Sequence, residues 1–136
     1  MSGFLSRLAI DRRGAAIVEF TVLAPVLLTL IVGTVDVGRM FYVRQGLEYA
    51  TEEAARFYTL NPSTASSNVT TELRTKMPGG MGPSVGVAYA DTVSCNANAN
   101  VTCTTITATY AFAFAAGYLQ IGPKTLRATA KAVRYI

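Results

Sequence analysis

Residues 12–35 read RRGAAIVEFTVLAPVLLTLIVGTV, in which Glu19 is the one carboxylate of an otherwise uncharged apolar run that begins at Ala15. At about 1.5 Å per residue, a helix over residues 15–35 is just long enough to cross a hydrocarbon core of roughly 30 Å. An ionisable group inside such a segment costs roughly 2.5–3.5 kcal/mol on insertion, which makes Glu19 a functional-site candidate. Residues 15–35 are therefore predicted to form a membrane helix.

The residues before this run are basic, because Arg7, Arg12 and Arg13 outnumber the single acidic residue Asp11. A basic flank tends to stay on the cytoplasmic side of the membrane. A cleavable secretory signal would end in small residues at a cleavage site, whereas here the run leads through Asp36 into more helix-compatible sequence. The apolar run is therefore predicted to remain in the mature protein, with most of the chain outside the cytoplasm.

Beyond residue 35 the helical pattern continues with a single apolar face. Its members recur at spacings of three and four: Met40, Val43, Leu47, Ala50, Ala54 and Phe57. Opposite charges four residues apart suit the exposed side, and they pair Arg44 with Glu48 and Glu52 with Arg56. Because a proline at position 62 disfavours helix at the residue before it, the pattern predicts one helix over residues 15–59.

Two features of this helix have structural consequences. Pro25 lacks an N–H group, so the helix is predicted to bend or locally unwind between Thr21 and Pro25. Three small residues on the apolar face, Gly46, Ala50 and Ala54, permit the close approach of another element. That element is either the sheet of this same chain, which is the favoured interpretation, or a neighbouring subunit.

The rest of the chain predicts a connector and a small sheet. Residues 60–83 are rich in turn formers around a short helix that starts at Ser66 or Ser67 and stops at Pro78. Three segments then alternate with period two, as strands do. The residues on one face of each segment are Val85, Val87, Tyr89, Asp91 and Val93; Ile106, Ala108, Tyr110, Phe112 and Phe114; and Leu126, Ala128, Ala130 and Ala132. The predicted class is α+β: a long N-terminal helix, with a membrane half and an amphipathic half, packed on an antiparallel sheet of about three strands.

Cys95 and Cys103 bracket the loop between the first two predicted strands. Outside the cytoplasm the environment is oxidising, so the pair is predicted to form a disulfide, whose loop closure contributes about 2–3 kcal/mol. Two free thiols are the alternative. The chain contains no histidine, and two lone thiolates do not complete a zinc site, so neither a metal nor another cofactor is expected.

The motif at the start of the chain also carries a family resemblance. The residues RRGAAIVEF at 12–20, PVLL at 25–28, Gly33 and DVGR at 36–39 resemble the N-terminal motif of TadE-like pseudopilins. These proteins are minor components of bacterial tight-adherence (Tad) pilus machinery in the type IV filament superfamily. The resemblance implies that a membrane aspartyl prepilin peptidase cuts between Gly14 and Ala15, which places Glu19 at mature position five.

Physical chemistry gives the implied cut a rationale. Cleavage leaves an ammonium group at Ala15 inside lipid or a filament core, where an unpaired charge is costly, and Glu19 can neutralise it. Glycine at position 14 lets the backbone enter a protease cleft without a steric cost. The alternative is that the chain is an uncleaved membrane anchor in which Glu19 lies near the lipid headgroups. Asp36 and Arg39 are expected to be interfacial anchors where the helix leaves the membrane. The family resemblance implies that these two residues also contact a neighbouring subunit.

These expectations divide the chain into a cytoplasmic leader (1–14), a transmembrane segment (15–35) and a periplasmic head (36–136) that includes the helix continuation 36–59. A net charge of +4 with 15% charged residues is too weak and scattered for nucleic-acid binding. No histidine is present, and no Ser/Lys or paired-carboxylate arrangement stands out, so enzymatic activity is not expected.

The resemblance implies a minor pilin that initiates or caps a Tad pilus filament, anchored in the bacterial inner membrane or incorporated into the pilus. Its implied partners are the prepilin peptidase, other pilins and pseudopilins, Tad inner-membrane assembly proteins and membrane lipid. A major filament subunit is a second possibility, less favoured because major Tad pilins are little more than the helix. A third is a membrane protein that never polymerises and whose head is a periplasmic scaffold or binding module.

Overall fold

The computed structural model describes residues 12–93, 101–115 and 122–135. The elements in chain order are helix α1 (Arg12–Leu60), helix α2 (Ser66–Lys76), two 3₁₀ turns (Pro78–Gly80 and Gly82–Ser84), and strands β1 (Gly86–Val93), β2 (Val101–Phe112) and β3 (Lys124–Tyr135). The predicted α+β class, with a long N-terminal helix and a three-stranded antiparallel sheet, is confirmed. The chain forms two compact units, Met1–Val37 and Gly38–Ile136, and the second is called the head below.

The first unit contains the apolar part of α1, whose large side chains are uncovered. Phe20 is 72% exposed and Leu30 is 64% exposed. The helix continues through Pro25 without unwinding, and the Thr29 hydroxyl donates a hydrogen bond of 2.8 Å to the Pro25 carbonyl. Among the described residues, one helix is long and apolar enough to cross a membrane. A surface this apolar has to be covered by lipid or protein.

In the head, the C-terminal part of α1 supplies one side of the core. Leu47, Ala50 and Ala54 are fully buried, as their spacing predicts. Their partners in the core come from α2, from strands β2 and β3 and from Val85 just before β1; they include Leu73, Val85, Ile106, Phe112, Leu126 and Ala132. The apolar face of the helix therefore packs within its own chain. On the exposed side Arg44 pairs with Glu48 at 3.0 Å, but Arg56 lies 3.9 Å from Glu53 rather than pairing with Glu52.

The sheet is an antiparallel meander with strand order β1-β2-β3. A representative row across it joins Tyr89, Ile106 and Ala130. Strand β2 begins at Val101, ahead of the predicted alternation. Its first residues, VTCTT, carry little apolar contrast between the two faces, which hides the strand from a period-two pattern although threonine and valine favour strands.

The end of α1 is fixed by two residues, Asn61 and Arg134, whose contacts sequence analysis did not anticipate. The Phe57 carbonyl accepts hydrogen bonds of 3.0 Å from both the backbone N–H and the side-chain amide of Asn61. From β3, the guanidinium of Arg134 lies 4.5 Å from the ring centroid of Tyr58 and donates to the Pro62 carbonyl at 3.2 Å. Because a cation over an aromatic ring is attractive, Arg134 ties the last strand to the end of the helix.

The stability of the head is expected to depend on the absence of a side chain at Gly46. A Cβ on Gly46 would lie 2.5 Å from Pro78 Cγ, whereas a Cβ on Gly38, in the same helix, would meet no atom within 4 Å. Gly46→Ala is therefore expected to destabilise the head by about 1–3 kcal/mol through overpacking. Gly38→Ala, the matched control, is expected to leave stability unchanged or raise it by up to about 1 kcal/mol through helix propensity.

The measurement is thermal unfolding of the detergent-solubilised chain, followed by near-ultraviolet circular dichroism. About 1 kcal/mol corresponds to roughly 4–8 °C in Tm for a domain of this size. Equal, positive shifts for Gly46→Ala and Gly38→Ala would show that Pro78 does not press on Gly46.

Candidate functional site

Gly14, the residue before the expected cut, lies in the first turn of α1, which begins at Arg12. It is exposed, and a Cβ placed on it would meet no atom within 4 Å. The backbone here is helical, so a protease that needs an extended strand has to unwind this turn. Glycine is about 1 kcal/mol less favourable than alanine in a helix, so Gly14 lowers the cost of unwinding the backbone here. The turn is therefore accessible and easily opened.

Glu19 lies one helical turn after Ala15, and both side chains are exposed. Residues four apart share a helix face, and helical side chains lean towards the N-terminus, so the Glu19 carboxylate reaches back over the turn that contains Ala15. An ammonium group created at Ala15 would lie within this reach. The positive end of the helix dipole would add to the attraction. The helix therefore supplies a geometry in which Glu19 can neutralise a new N-terminus on its own chain.

Asp36 and Arg39, the expected membrane-exit residues, have different environments. Asp36 is only 2% exposed. Arg39 is exposed, and its guanidinium carbon lies 5.6 Å from the centroid of the Phe112 ring. Asp36 is thus buried and Arg39 is also a packing residue of the head, while their role at the membrane exit remains a prediction.

The two cysteines are only partly described. Cys103 is 9% exposed and lies opposite Thr92 of β1 and Val133 of β3. Cys95 lies outside the described residues, as does the expected leader before residue 12. The disulfide and the leader therefore remain predictions.

Tyr89 of β1 joins the sheet to α2 through its hydroxyl group. This hydroxyl lies 2.7 Å from the Thr70 hydroxyl and donates to the Ser66 carbonyl at 3.0 Å. The ring packs edge-on against Tyr58, with centroids 6.5 Å apart. Burial raises the pKa of the Tyr89 phenol above its ordinary value of 10.0. The hydrogen bond with Thr70 and the charge of Arg74 oppose this rise, and the electrostatic interaction with Tyr58 adds to it.

The raised pKa of Tyr89 predicts a loss of stability in alkali. The folded state holds the phenolic proton more tightly than the unfolded state, so the contribution is fully present below pH 10 and is lost as pH rises through the folded pKa. Tyr89→Phe should lower the free energy of unfolding by about 1 kcal/mol at neutral pH, because it removes the hydroxyl contacts. The difference in Tm between wild type and Tyr89→Phe should then shrink above pH 10; a constant difference would contradict the assignment.

A groove of about 590 Å³ lies between the end of α1 and β3 in the head. Acidic and basic side chains both line the groove, namely those of Glu52, Arg56 and Lys131. The other lining residues are Ala55, Thr59, Leu60, Thr129 and Ala130. Sequence analysis gave no sign of this groove, because it is formed by residues far apart in the chain. Within the part of the chain that the structure describes, no cluster of three or more His, Cys, Asp or Glu residues could hold a metal ion.

The comparisons with known proteins bear on the N-terminal segment. A family model described as TadE-like protein matches residues 14–56. No curated protein and no solved structure matches the chain. The matched segment begins at Gly14, includes Glu19 and ends within the part of α1 that packs on the sheet. Residues 14–56 are therefore similar to the TadE-like family, as the motif indicated.

Proposed function

We propose that this chain is a minor pilin of a Tad pilus, cleaved between Gly14 and Ala15 and then used to initiate or cap the filament. The observation that carries the proposal is the TadE-like match over residues 14–56, which include Gly14 and Glu19. Both residues lie on one helix whose apolar surface is uncovered. An exposed helix of this kind suits a subunit that moves from lipid into a filament, because both environments cover its apolar surface.

The proposed location is the bacterial inner membrane, with residues 15–35 spanning the bilayer, the N-terminus in the cytoplasm and the head in the periplasm. The proposed partners are the prepilin peptidase, other pilins and pseudopilins, and the inner-membrane assembly proteins of the Tad machinery. These assignments follow from the basic residues before the span and from the nature of the TadE-like family. The role of the chain is structural rather than enzymatic, in keeping with that family.

The test of processing is the intact mass of the protein extracted from membranes of a host that carries the Tad system. A mature N-terminus at Ala15 is expected. A chain that retains the leader in the presence of an active peptidase would favour an uncleaved membrane protein whose head is a periplasmic scaffold or binding module.

The test of the minor role is the copy number of the chain in purified pili, measured by quantitative mass spectrometry against the most abundant subunit. The size of the head favours a minor subunit, because the sheet and α2 add a folded core beyond the long helix. A small fraction of the filament subunits is expected. Equal abundance with the main filament protein would instead make the chain a major subunit.

We also propose the disulfide between Cys95 and Cys103. Thr92 lies opposite Cys103 in the sheet, so the chain leaves β1 close to Cys103 shortly before it reaches Cys95. The proposed location outside the cytoplasm is oxidising, which favours the bridge.

Three variants test the bridge: Cys95→Ser, Cys103→Ser and the double variant. Each is expected to lower the free energy of unfolding by the same amount, about 2–3 kcal/mol, because the loop opens once whichever sulfur is removed. Membrane insertion should be unchanged. Thermal unfolding gives the stabilities, and thiol titration under denaturing conditions without reductant should find no reactive thiol in the wild type; two reactive thiols would refute the bridge.

A further inference from the structure

Aromatic and basic side chains surround the first helical turns of the head. This aromatic–basic layer consists of Arg39, Phe41, Tyr42, Phe114 and Lys124, and it adjoins Phe112, which is itself buried in the core. Phe41 is 53% exposed and Tyr42 is 60% exposed, so neither belongs to the core. Large aromatic side chains left in water need an explanation when several occur together.

The sheet contributes to the layer at the level of Arg39. The guanidinium carbon of Arg39 lies 5.6 Å from the Phe112 ring centroid. The Phe112 and Phe114 rings pack edge-on with centroids 5.2 Å apart. Lys124, which is exposed, lies opposite Phe112 in the sheet register. The end of β2 and the start of β3 are therefore close to the first turn of the head.

The layer follows directly after the apolar run. At about 1.5 Å per residue, Tyr42 lies on the order of 10 Å along the helix from Val35. The surface between them is mixed, because Val37 is 46% exposed and Arg39, a member of the layer, is exposed as well. Helical side chains lean towards the N-terminus, which brings the aromatic rings closer to the run than their Cα positions are.

We propose that the aromatic–basic layer binds the headgroup region of the lipid bilayer and seats this end of the head on the membrane surface. The inference depends on the proposed membrane span and adds a second contact with lipid. Headgroup regions extend about 5–8 Å beyond each side of the hydrocarbon core, and aromatic side chains with a polar group concentrate there. The cationic groups of Arg39 and Lys124 suit lipid phosphates, and their alkyl stems can lie along apolar surface.

Tyr49 provides an internal control for depth. It is 58% exposed, similar to Tyr42, and lies two helical turns further along on the same side of α1. Those two turns carry it about 10 Å further from the apolar run. Tyr49 should therefore be in water if Tyr42 is among the headgroups.

The experiment uses single tryptophans, because the chain has none of its own. Tyr42→Trp, Phe114→Trp, Tyr49→Trp and Leu27→Trp are each reconstituted as full chains in vesicles of phosphatidylcholine and phosphatidylglycerol. Fluorescence quenching is compared between lipids that carry the quencher on the headgroup and lipids that carry it deep in the acyl chain. Leu27 lies in the apolar run and is 58% exposed, so Leu27→Trp reports on the span alone.

Tyr42→Trp and Phe114→Trp are expected to be quenched about twofold or more strongly by the headgroup quencher than by the deep quencher, and Leu27→Trp the reverse. Tyr49→Trp should be quenched by neither. If Leu27→Trp behaves as expected but Tyr42→Trp and Phe114→Trp match Tyr49→Trp, the layer does not contact lipid and the proposal is overturned.

Two further outcomes also overturn the proposal, and the fluorescence data distinguish one from the other. A blue-shifted Tyr42→Trp emission without quenching by either lipid means that a second protein chain covers the layer. Failure of Leu27→Trp to respond to the deep quencher means that the membrane span itself is wrong, and the proposed function with it.

Discussion

Gly14→Leu is expected to leave the protein as a precursor that is heavier by the leader, with almost no mature form. Two effects act in the same direction. A branched side chain obstructs a protease cleft that accepts glycine without a steric cost. Leucine also favours helix over glycine by about 1 kcal/mol, so the first turn of α1 becomes harder to unwind. The head should fold normally, because the space around Gly14 is empty.

The matched control is Gly33→Leu. Gly33 also lies in α1, and a Cβ placed on it would meet no atom within 4 Å. Gly33→Leu therefore adds the same side chain to the same helix, but at a position away from the expected cleavage site. Gly14→Ala separates the two effects, since alanine strengthens the helix but adds only a methyl group, and partial processing is expected. Denaturing gels and intact mass give the ratio of precursor to mature protein. Normal processing of Gly14→Leu would show that the cut lies elsewhere.

The main elements of the head could be predicted because their side chains obey simple periods. The spacing of Val43, Leu47, Ala50 and Ala54 identifies the buried face of α1, and Val69 with Leu73 identifies that of α2. The start of β2 and the partner of Arg56 could not be obtained in this way. The threonine-rich start of β2 shows no apolar contrast between its two faces. An exposed ion pair contributes less than about 1 kcal/mol, so the partner of Arg56 depends on local side-chain rotamers.

The candidate site could be located from sequence only where its residues are neighbours along one helix. Gly14, Ala15 and Glu19 are such a group, and the TadE-like match begins at the first of them. Contacts between distant residues gave no local signal. The approach of Pro78 to Gly46, the stacking of Arg134 on Tyr58 and the contact of Arg39 with Phe112 all depend on tertiary packing.

Glu19→Gln is expected to permit cleavage but to reduce incorporation of the subunit severely. Cleavage creates an ammonium group at Ala15 in an environment of low polarity, where removing one partner of an ion pair costs about 3–5 kcal/mol. Glutamine keeps the shape of the side chain but leaves this positive charge uncompensated. Glu19→Asp keeps the charge with a shorter reach, so its effect should be intermediate. The pairing can be with the same chain, as the helical spacing allows, or with an adjacent helix.

The three proteins are compared for leader removal by intact mass and for co-purification with pilus-assembly partners. Glu48→Gln is the control, because it removes the same charge from an exposed pair with Arg44, at 3.0 Å, in the head. An electrostatic role predicts the order wild type, Glu19→Asp, Glu19→Gln, with Glu48→Gln close to wild type. Equal co-purification of all four would make Glu19 a tolerated interfacial residue. Because the ammonium group exists only after cleavage, an effect of Glu19→Gln confined to the processed form would tie the carboxylate to the new N-terminus.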